Sequence, residues 1–177
     1  MSNDDSYPFD STSDYPAREI AAAWARERPG TPTSSIEVVT PLWRLAKLFG
    51  DDRRRVLAEA GVTPATLDLL SVLRRSGPPY TVDTRELAAR TLVTAGAISQ
   101  RVGKAEKEGL VTRSPGTDRA RSVLVTLTGA GHALIERTVD QVLTREASLL
   151  DGLGTEQRRQ LGELLAALLD QVRGKVG

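Results

Sequence analysis

Residues 84–127 read TRELAARTLVTAGAISQRVGKAEKEGLVTRSPGTDRARSVLVTL, and this stretch decides the fold. Its first half predicts two short helices joined by a turn, the first opened by Asp83 and Glu86 in a capping-box pattern and the second opened by Thr94. Gly109 ends the second helix. Two runs rich in β-branched residues, LVTRS and SVLVTLT, follow with the polar loop PGTDRAR between them. The order helix, turn, helix, strand, loop, strand predicts a winged helix-turn-helix.

The second helix of such a unit enters the major groove of DNA, and the residues here suit that position. Its first turn, TAGA, has side chains small enough for the backbone to approach DNA, so Thr94 and Ala97 are predicted contacts. Ser99 can bond to several base edges, and Gln100 can pair with adenine through two hydrogen bonds. Lys104 is placed for a phosphate.

The loop between the two strands supplies further cations. Arg119 and Arg121 lie there, where they can reach an adjacent minor groove. From residue 85 to residue 121 there are six Arg and two Lys against four acidic residues, whereas the whole chain has a net charge of +1. A charged loop by itself is most often only solvated, but its place directly after a helix pair favours binding to DNA.

The remainder of the chain predicts a mainly α-helical protein with a small β-hairpin. Aromatic residues make up only 4% of the chain, while the strong helix formers Ala, Leu and Arg are frequent. Residues 1–15 are predicted to be a disordered arm. Residues 16–177 are predicted to form a single unit with N-terminal helices at 17–60, the winged helix-turn-helix at 63–128 and C-terminal helices at 129–177.

The last predicted helix carries an apolar seam that needs a partner. Its members recur every three or four positions and are Leu161, Leu165, Leu168 and Val172. A stripe with this spacing packs against another helix, so we expect the C-terminal helices to hold a homodimer together.

Composition removes several classes of function. The chain has no cysteine and a single histidine, His132, which excludes disulfides, thiol chemistry and a cysteine-ligated zinc site. Neither a Gly-rich phosphate loop nor a nucleophile elbow is present, and His132 is expected to be a surface or capping residue, so no enzyme and no cofactor are predicted. No apolar run approaches the ~20 residues of a membrane span, and the acidic, Ser-rich start is unlike a signal peptide, which together favour a cytoplasmic location.

The segment GLVTRSPGTDRARSVLVTLTGAG, residues 109–131, resembles the wing of the MarR family of bacterial transcription regulators, including its Leu-Thr-x-x-Gly order. The resemblance extends from about Ser35 to the C-terminus. It implies a dimer held by N- and C-terminal helices, a palindromic DNA operator and a response to small molecules. The chain departs from the pattern in two places. Where many relatives carry Asp-Arg-Arg it reads Arg119-Ala120-Arg121, so one Arg is lost and Arg119 falls where the Asp usually lies, while Arg121 keeps its place. Gly103 stands where relatives often carry Asp.

The segments AAAWARERPGTPTSSIEVV and LDLLSVLRRSGPPY resemble the urate-responsive subfamily of MarR proteins, which has an added N-terminal helix. The resemblance implies that four residues sense the effector: Trp24, Asp68, Arg75 and Arg101. Asp68 and Arg75 would lie about 10 Å apart along a helix, too far for a direct ion pair, so an aromatic anion between Trp24 and Arg75 would supply a partner. In the alternative interpretation Trp24 anchors the extra helix, Asp68 and Arg75 are merely exposed, and Arg101 contacts DNA.

These patterns together predict a repressor that leaves its operator when a small aromatic or anionic effector binds, urate or a natural product being examples. The alternatives are an activator, a constitutive DNA-binding protein without an effector, and a helical adaptor for which the wing arginines have no role. The operator sequence, the target genes and the effector are left open by the sequence.

Overall fold

The computed structural model describes residues 15–116 and 123–176. They belong to two compact units, the first ending at Val56 and the second beginning at Leu57. The helices are α1 (Ala17–Glu27), α2 (Ile36–Glu59), α3 (Pro64–Arg75), α4 (Thr84–Arg90), α5 (Ala95–Lys107), α6 (Gly129–Leu149) and α7 (Thr155–Val176). The strands are β1 (Thr81–Asp83), β2 (Val111–Pro115) and β3 (Val123–Leu127). The predicted disordered arm falls outside the described residues except for Tyr15.

The first unit contains α1 and most of α2. Arg44 of α2 donates from Nη1 and Nη2 to the backbone carbonyl of Tyr15, at 3.0 Å each. Few side chains of these helices are buried, and Trp24 and Trp43 are about half exposed. Among the described residues no single helix is long and apolar enough to cross a membrane, although α2 and α3 satisfy that criterion together as a bent pair.

Local sequence signals account for the helix starts in the second unit. The hydroxyl of Thr63 accepts from the Thr66 N–H at 3.1 Å, with Pro64 at the first helical position of α3. Asp83 accepts from the Arg85 N–H at 2.7 Å and caps α4. The predicted cap at Asp83 is therefore confirmed.

The small sheet is larger by one strand than the hairpin that the sequence predicted. β2 and β3 pair antiparallel with Thr112 opposite Thr126, which confirms the hairpin. The short extended piece before α4 is β1, which pairs antiparallel with the other edge of β3 and places Val82 opposite Val125. Both of these valines are buried, so the strand order β1-β3-β2 fixes the start of α4 against the core.

The core of the second unit is built from one face each of α3, α4, α5 and α6, together with residues of the sheet. Its largest fully buried side chains are Leu57, Leu69, Leu70, Leu73, Leu87, Ile98, Val102, Val111, Val125, Ile135 and Thr138. The hydroxyl of Thr138 donates to the Leu134 carbonyl at 2.8 Å, which satisfies its one polar group. Because Ile98 and Val102 turn one face of α5 inward, the opposite face of that helix is left to solvent.

The lone histidine has a packing role. His132 is half-buried near the start of α6, and its ring meets the Tyr80 ring edge to face at a centroid distance of 4.5 Å. The Arg74 guanidinium lies 4.9 Å from the centroid of the same Tyr80 ring and donates to Glu136 at 2.6 Å. His132 is not the cap of α6, because Thr128 takes that role, and its partly exposed imidazole packs against Tyr80 of the turn before β1.

Candidate nucleic-acid interface

The face of α5 opposite its buried side chains is polar and exposed to solvent. Ser99 and Gln100 are exposed, and neither side chain makes a hydrogen bond within residues 15–116 and 123–176. Lys104 is also exposed and lies 3.8 Å from Glu108. A helix that keeps a polar amide and a hydroxyl free of intramolecular partners has those groups available for base edges.

The start of α5 is built as the sequence predicted. Thr94 is its N-cap, and the Thr94 hydroxyl accepts from the Ala97 N–H at 3.2 Å. Ala95 and Gly96 are exposed and have little or no side chain. The Ala97 N–H is therefore already used, and the other amides of the first turn are the ones left for a phosphate.

An ion pair that the sequence did not indicate links α5 to the sheet. Arg113 of β2 donates from Nε to the Glu106 carboxylate at 2.8 Å and from Nη2 to the same oxygen. The bond lowers the pKa of Glu106 and raises that of Arg113. Both side chains are partly exposed, so the pair adds little to stability, but it occupies Arg113 and reduces the free positive charge of this surface.

A small cleft of about 130 Å³ lies between the start of α4, the exposed edge of α5 and the strands. The polar residues that line it are Thr84, Arg85, Ser99 and Arg113. Arg85 is exposed and has no ion-pair partner among the described residues, whereas Arg90 on the same helix pairs with Glu86 at 2.5 Å. Arg85 is thus a cation without an ion-pair partner in residues 15–116 and 123–176, and it lines a cleft that α5 also lines, although its sequence position did not single it out as a site residue.

The two predicted wing cations lie outside the described part of the chain. Arg119 and Arg121 fall between the end of β2 and the start of β3. The strands on either side pair in the register expected of a wing, with Pro115 opposite Val123 at the open end. The role of the two arginines in DNA binding stays a prediction.

The four residues predicted to sense an effector have different surroundings. Trp24 belongs to the first unit and is 52% exposed. Asp68 and Arg75 are exposed on α3, and Arg75 donates from Nε to the Ser71 carbonyl at 3.1 Å. Arg101 of α5 is half-buried, and its Nη1 is fully enclosed without a hydrogen-bond partner in the described structure. No hydrogen bond or ion pair joins Asp68, Arg75 and Arg101 to one another within that structure.

Comparison with known proteins gives the family. The MarR family model matches residues 60–121, which include α3, α4, α5 and β2. A transcriptional regulator of the helix-turn-helix type from Bacillus cereus is 31% identical over 105 residues, covering 59% of this chain and 67% of the relative. The regulator PecS of Dickeya dadantii is 27% identical over 147 residues, covering 83% of this chain and 89% of PecS. The chain belongs to the MarR family of transcriptional regulators. It is therefore a DNA-binding winged helix-turn-helix protein.

Solved MarR-family structures share the fold. A mutant MarR from E. coli complexed with operator DNA superposes with a TM-score of 0.61 and 26% identity, covering 77% of this chain and 98% of MarR. NadR in complex with 4-hydroxyphenylacetate superposes with a TM-score of 0.59 and 25% identity, covering 78% of this chain and 96% of NadR. These relatives and neighbours are transcriptional regulators, which confirms the prediction that the chain is not an enzyme.

Proposed function

We propose that this MarR-family chain is a homodimeric repressor that binds a palindromic operator and releases it when a small aromatic or anionic effector binds. The observation that carries the DNA part is the exposed face of α5, where Ser99 and Gln100 have no partner in the described structure. The similarity to MarR bound to operator DNA supports this role for the helix. Arg85 and Lys104 are the described cations best placed for phosphates, and Arg119 and Arg121 would extend the contact into the minor groove.

The C-terminal helix supports a homodimer. No residue of α7 is buried, although the helix is 22 residues long and carries the predicted apolar seam. An isolated helix of this length is only marginally stable in water, because most helical stability in proteins comes from packing of an apolar face. In the first unit, α2 likewise leaves Val38, Leu42 and Leu45 exposed. A second copy of the chain supplies the missing partner for these surfaces and aligns two α5 helices with two half-sites.

Arg101 supports the effector part of the proposal. A guanidinium nitrogen enclosed without a hydrogen bond is costly, and an anion that accepts from it would recover that cost. Its enclosure also argues against a direct base contact, which the sequence left open. NadR binds an aromatic acid, 4-hydroxyphenylacetate. Together with the resemblance to urate-responsive proteins, this favours an aromatic anion such as urate as the effector of this chain.

Replacing Gln100 by alanine is expected to weaken binding to a specific duplex by about tenfold, since a good two-bond contact to a base discriminates by ~1–3 kcal/mol. The duplex is obtained by selection from a random-sequence pool with the wild-type protein, and affinity is measured by fluorescence polarisation. Gln141→Ala is the matched control, because Gln141 is exposed on α6 outside the winged unit. Selection of a palindrome with half-sites about one helical turn apart would support the dimer. Wild-type affinity of the Gln100→Ala variant would contradict the proposal that α5 contacts base edges through Gln100.

Titration with urate and with 4-hydroxyphenylacetate tests the effector. We expect binding heat by calorimetry and a fall in operator affinity of roughly tenfold, the usual size of an allosteric coupling. Arg101→Gln should lose both effects while the ligand-free protein still binds DNA. Lys107→Gln removes an exposed cation from the same helix and should keep the ligand response. Absence of heat and an unchanged operator affinity with every aromatic anion tried would favour a constitutive DNA-binding protein.

A further inference from the structure

Three helices in the described part of the chain end with the same hydrogen-bond pattern, but one of them carries an unexpected residue. After α2, α4 and α5 a residue adopts the left-handed conformation: Gly61 at φ 68°, Leu92 at φ 54° and Gly109 at φ 71°. In each case the N–H of the next residue donates to the carbonyl five positions earlier, at 2.9, 3.1 and 2.9 Å respectively. This is the Schellman arrangement, in which glycine is preferred because a Cβ is strained at that φ. Leu92 occupies the glycine position.

The leucine side chain contributes nothing to the fold that would offset this strain. Leu92 is 93% exposed, more than any other large apolar side chain in the described residues. Tyr80 is the other non-glycine residue there with a left-handed φ, at 58°, and its ring packs against Arg74 and His132. Strained residues without a packing role are concentrated at functional sites. The identity of residue 92 therefore points to a contact outside the chain.

Leu92 lies close in the chain to the helix that is proposed to enter the DNA groove. It lies in the turn between α4 and α5, two residues before the N-cap Thr94, and the turn is held by the Thr91 hydroxyl donating to the Leu87 carbonyl at 2.7 Å. The small exposed residues Ala95 and Gly96 follow within four positions, so Leu92 lies next in the chain to the start of the helix that is proposed to approach DNA. An apolar side chain at the rim of a groove meets the C–H face of a deoxyribose, a contact that fixes orientation without reading sequence.

We propose that Leu92 packs against a deoxyribose at the rim of the groove that α5 enters, and so sets the register of the helix on DNA. The inference rests on the proposed entry of α5 into the major groove. In this proposal the leucine side chain lowers the stability of the fold, because of its strained φ, but raises the affinity for DNA. The contact adds affinity for any duplex, whatever its sequence.

The test compares full-length wild type, Leu92→Gly and Leu92→Met on two duplexes, one selected by the wild type from a random pool and one with its sequence scrambled. Relief of strain should raise the melting temperature of Leu92→Gly by roughly 2–4 °C. Leu92→Gly also removes the methyl groups that the proposed contact would bury against DNA, which should weaken its binding to both duplexes by about fivefold. Leu92→Met keeps the apolar reach and should bind like the wild type.

Three results would overturn the inference. The first is wild-type affinity of Leu92→Gly for both duplexes, and the second is a lower melting temperature, which would mean that the leucine serves the fold. The third is a loss confined to the selected duplex, which would mean a base contact. If the wild type selects no duplex at all, the proposed operator binding fails together with the inference, and that outcome is distinct from an inert Leu92 in a protein that binds DNA.

Discussion

Gly131→Ala is expected to remove about 3 kcal/mol of folding stability and to lower the melting temperature by roughly 10 °C, because the added methyl group has no space. A Cβ at this position in the first turn of α6 would lie 2.1 Å from the Leu110 carbonyl oxygen and 3.0 Å from Leu127 Cδ2. The carbonyl cannot easily move away. It accepts from the Thr128 N–H at 3.1 Å, and the Leu110 N–H donates to the Ala105 carbonyl at 2.9 Å.

Thermal and urea unfolding of the full chain measure this effect, and Gly129→Ala is the control. Gly129 is in the same turn of α6, but a Cβ there meets nothing within 4 Å, so alanine should be neutral or stabilising by up to about 1 kcal/mol. Equal losses in the two variants would show that the Leu110 contact is not the cause. In that case the requirement for glycine would lie in the helix start itself.

The structural role of Gly131 could not be predicted from the sequence. It was visible in the Leu-Thr-x-x-Gly order only as a mark of resemblance, since its physical role depends on Leu110, which lies 21 residues earlier in the chain. Features fixed by neighbouring residues were predicted well, such as the Asp83 and Thr94 caps and the end of α5 at Gly109. The pairing of β1 with β3 joins residues far apart in sequence, and no local pattern indicates it.

Some features of the candidate site could likewise be predicted from local sequence, whereas others depend on residues far away in the chain. The exposure of Ser99 and Gln100 could be predicted, because the buried residues of α5 recur at helical spacing and leave the opposite face polar. The enclosure of Arg101 Nη1 and the pairing of Arg113 with Glu106 could not, because each depends on which side chains other elements place nearby. The strain at Leu92 was also invisible, since leucine in a turn gives no indication of a left-handed φ.

Replacing Leu165 and Val172 of α7 together by aspartate is expected to convert the proposed dimer into a monomer and to weaken operator binding by about 10²–10⁴-fold. Both side chains are nearly half exposed in the single chain, at 44% and 46%, and lie two turns apart on the predicted seam. Two carboxylates buried in a helix-helix interface would have no partners and would prevent its formation. The affinity loss follows because a monomer engages one half-site without the effective concentration that the second one provides.

Light scattering coupled to size exclusion distinguishes a mass of 19.1 kDa from twice that value, and polarisation with the selected duplex gives the affinity. Ala167→Asp is the control: it places one aspartate on the same helix but on the opposite side from Leu165. Circular dichroism should also show lost helix in the double variant alone, since α7 has no buried residue in the isolated chain to keep it folded. A wild type that is already monomeric, or a double variant that stays dimeric and binds DNA normally, would remove α7 from the interface. The exposed apolar residues of α2, in the first unit, would then be the remaining candidates for holding two copies together.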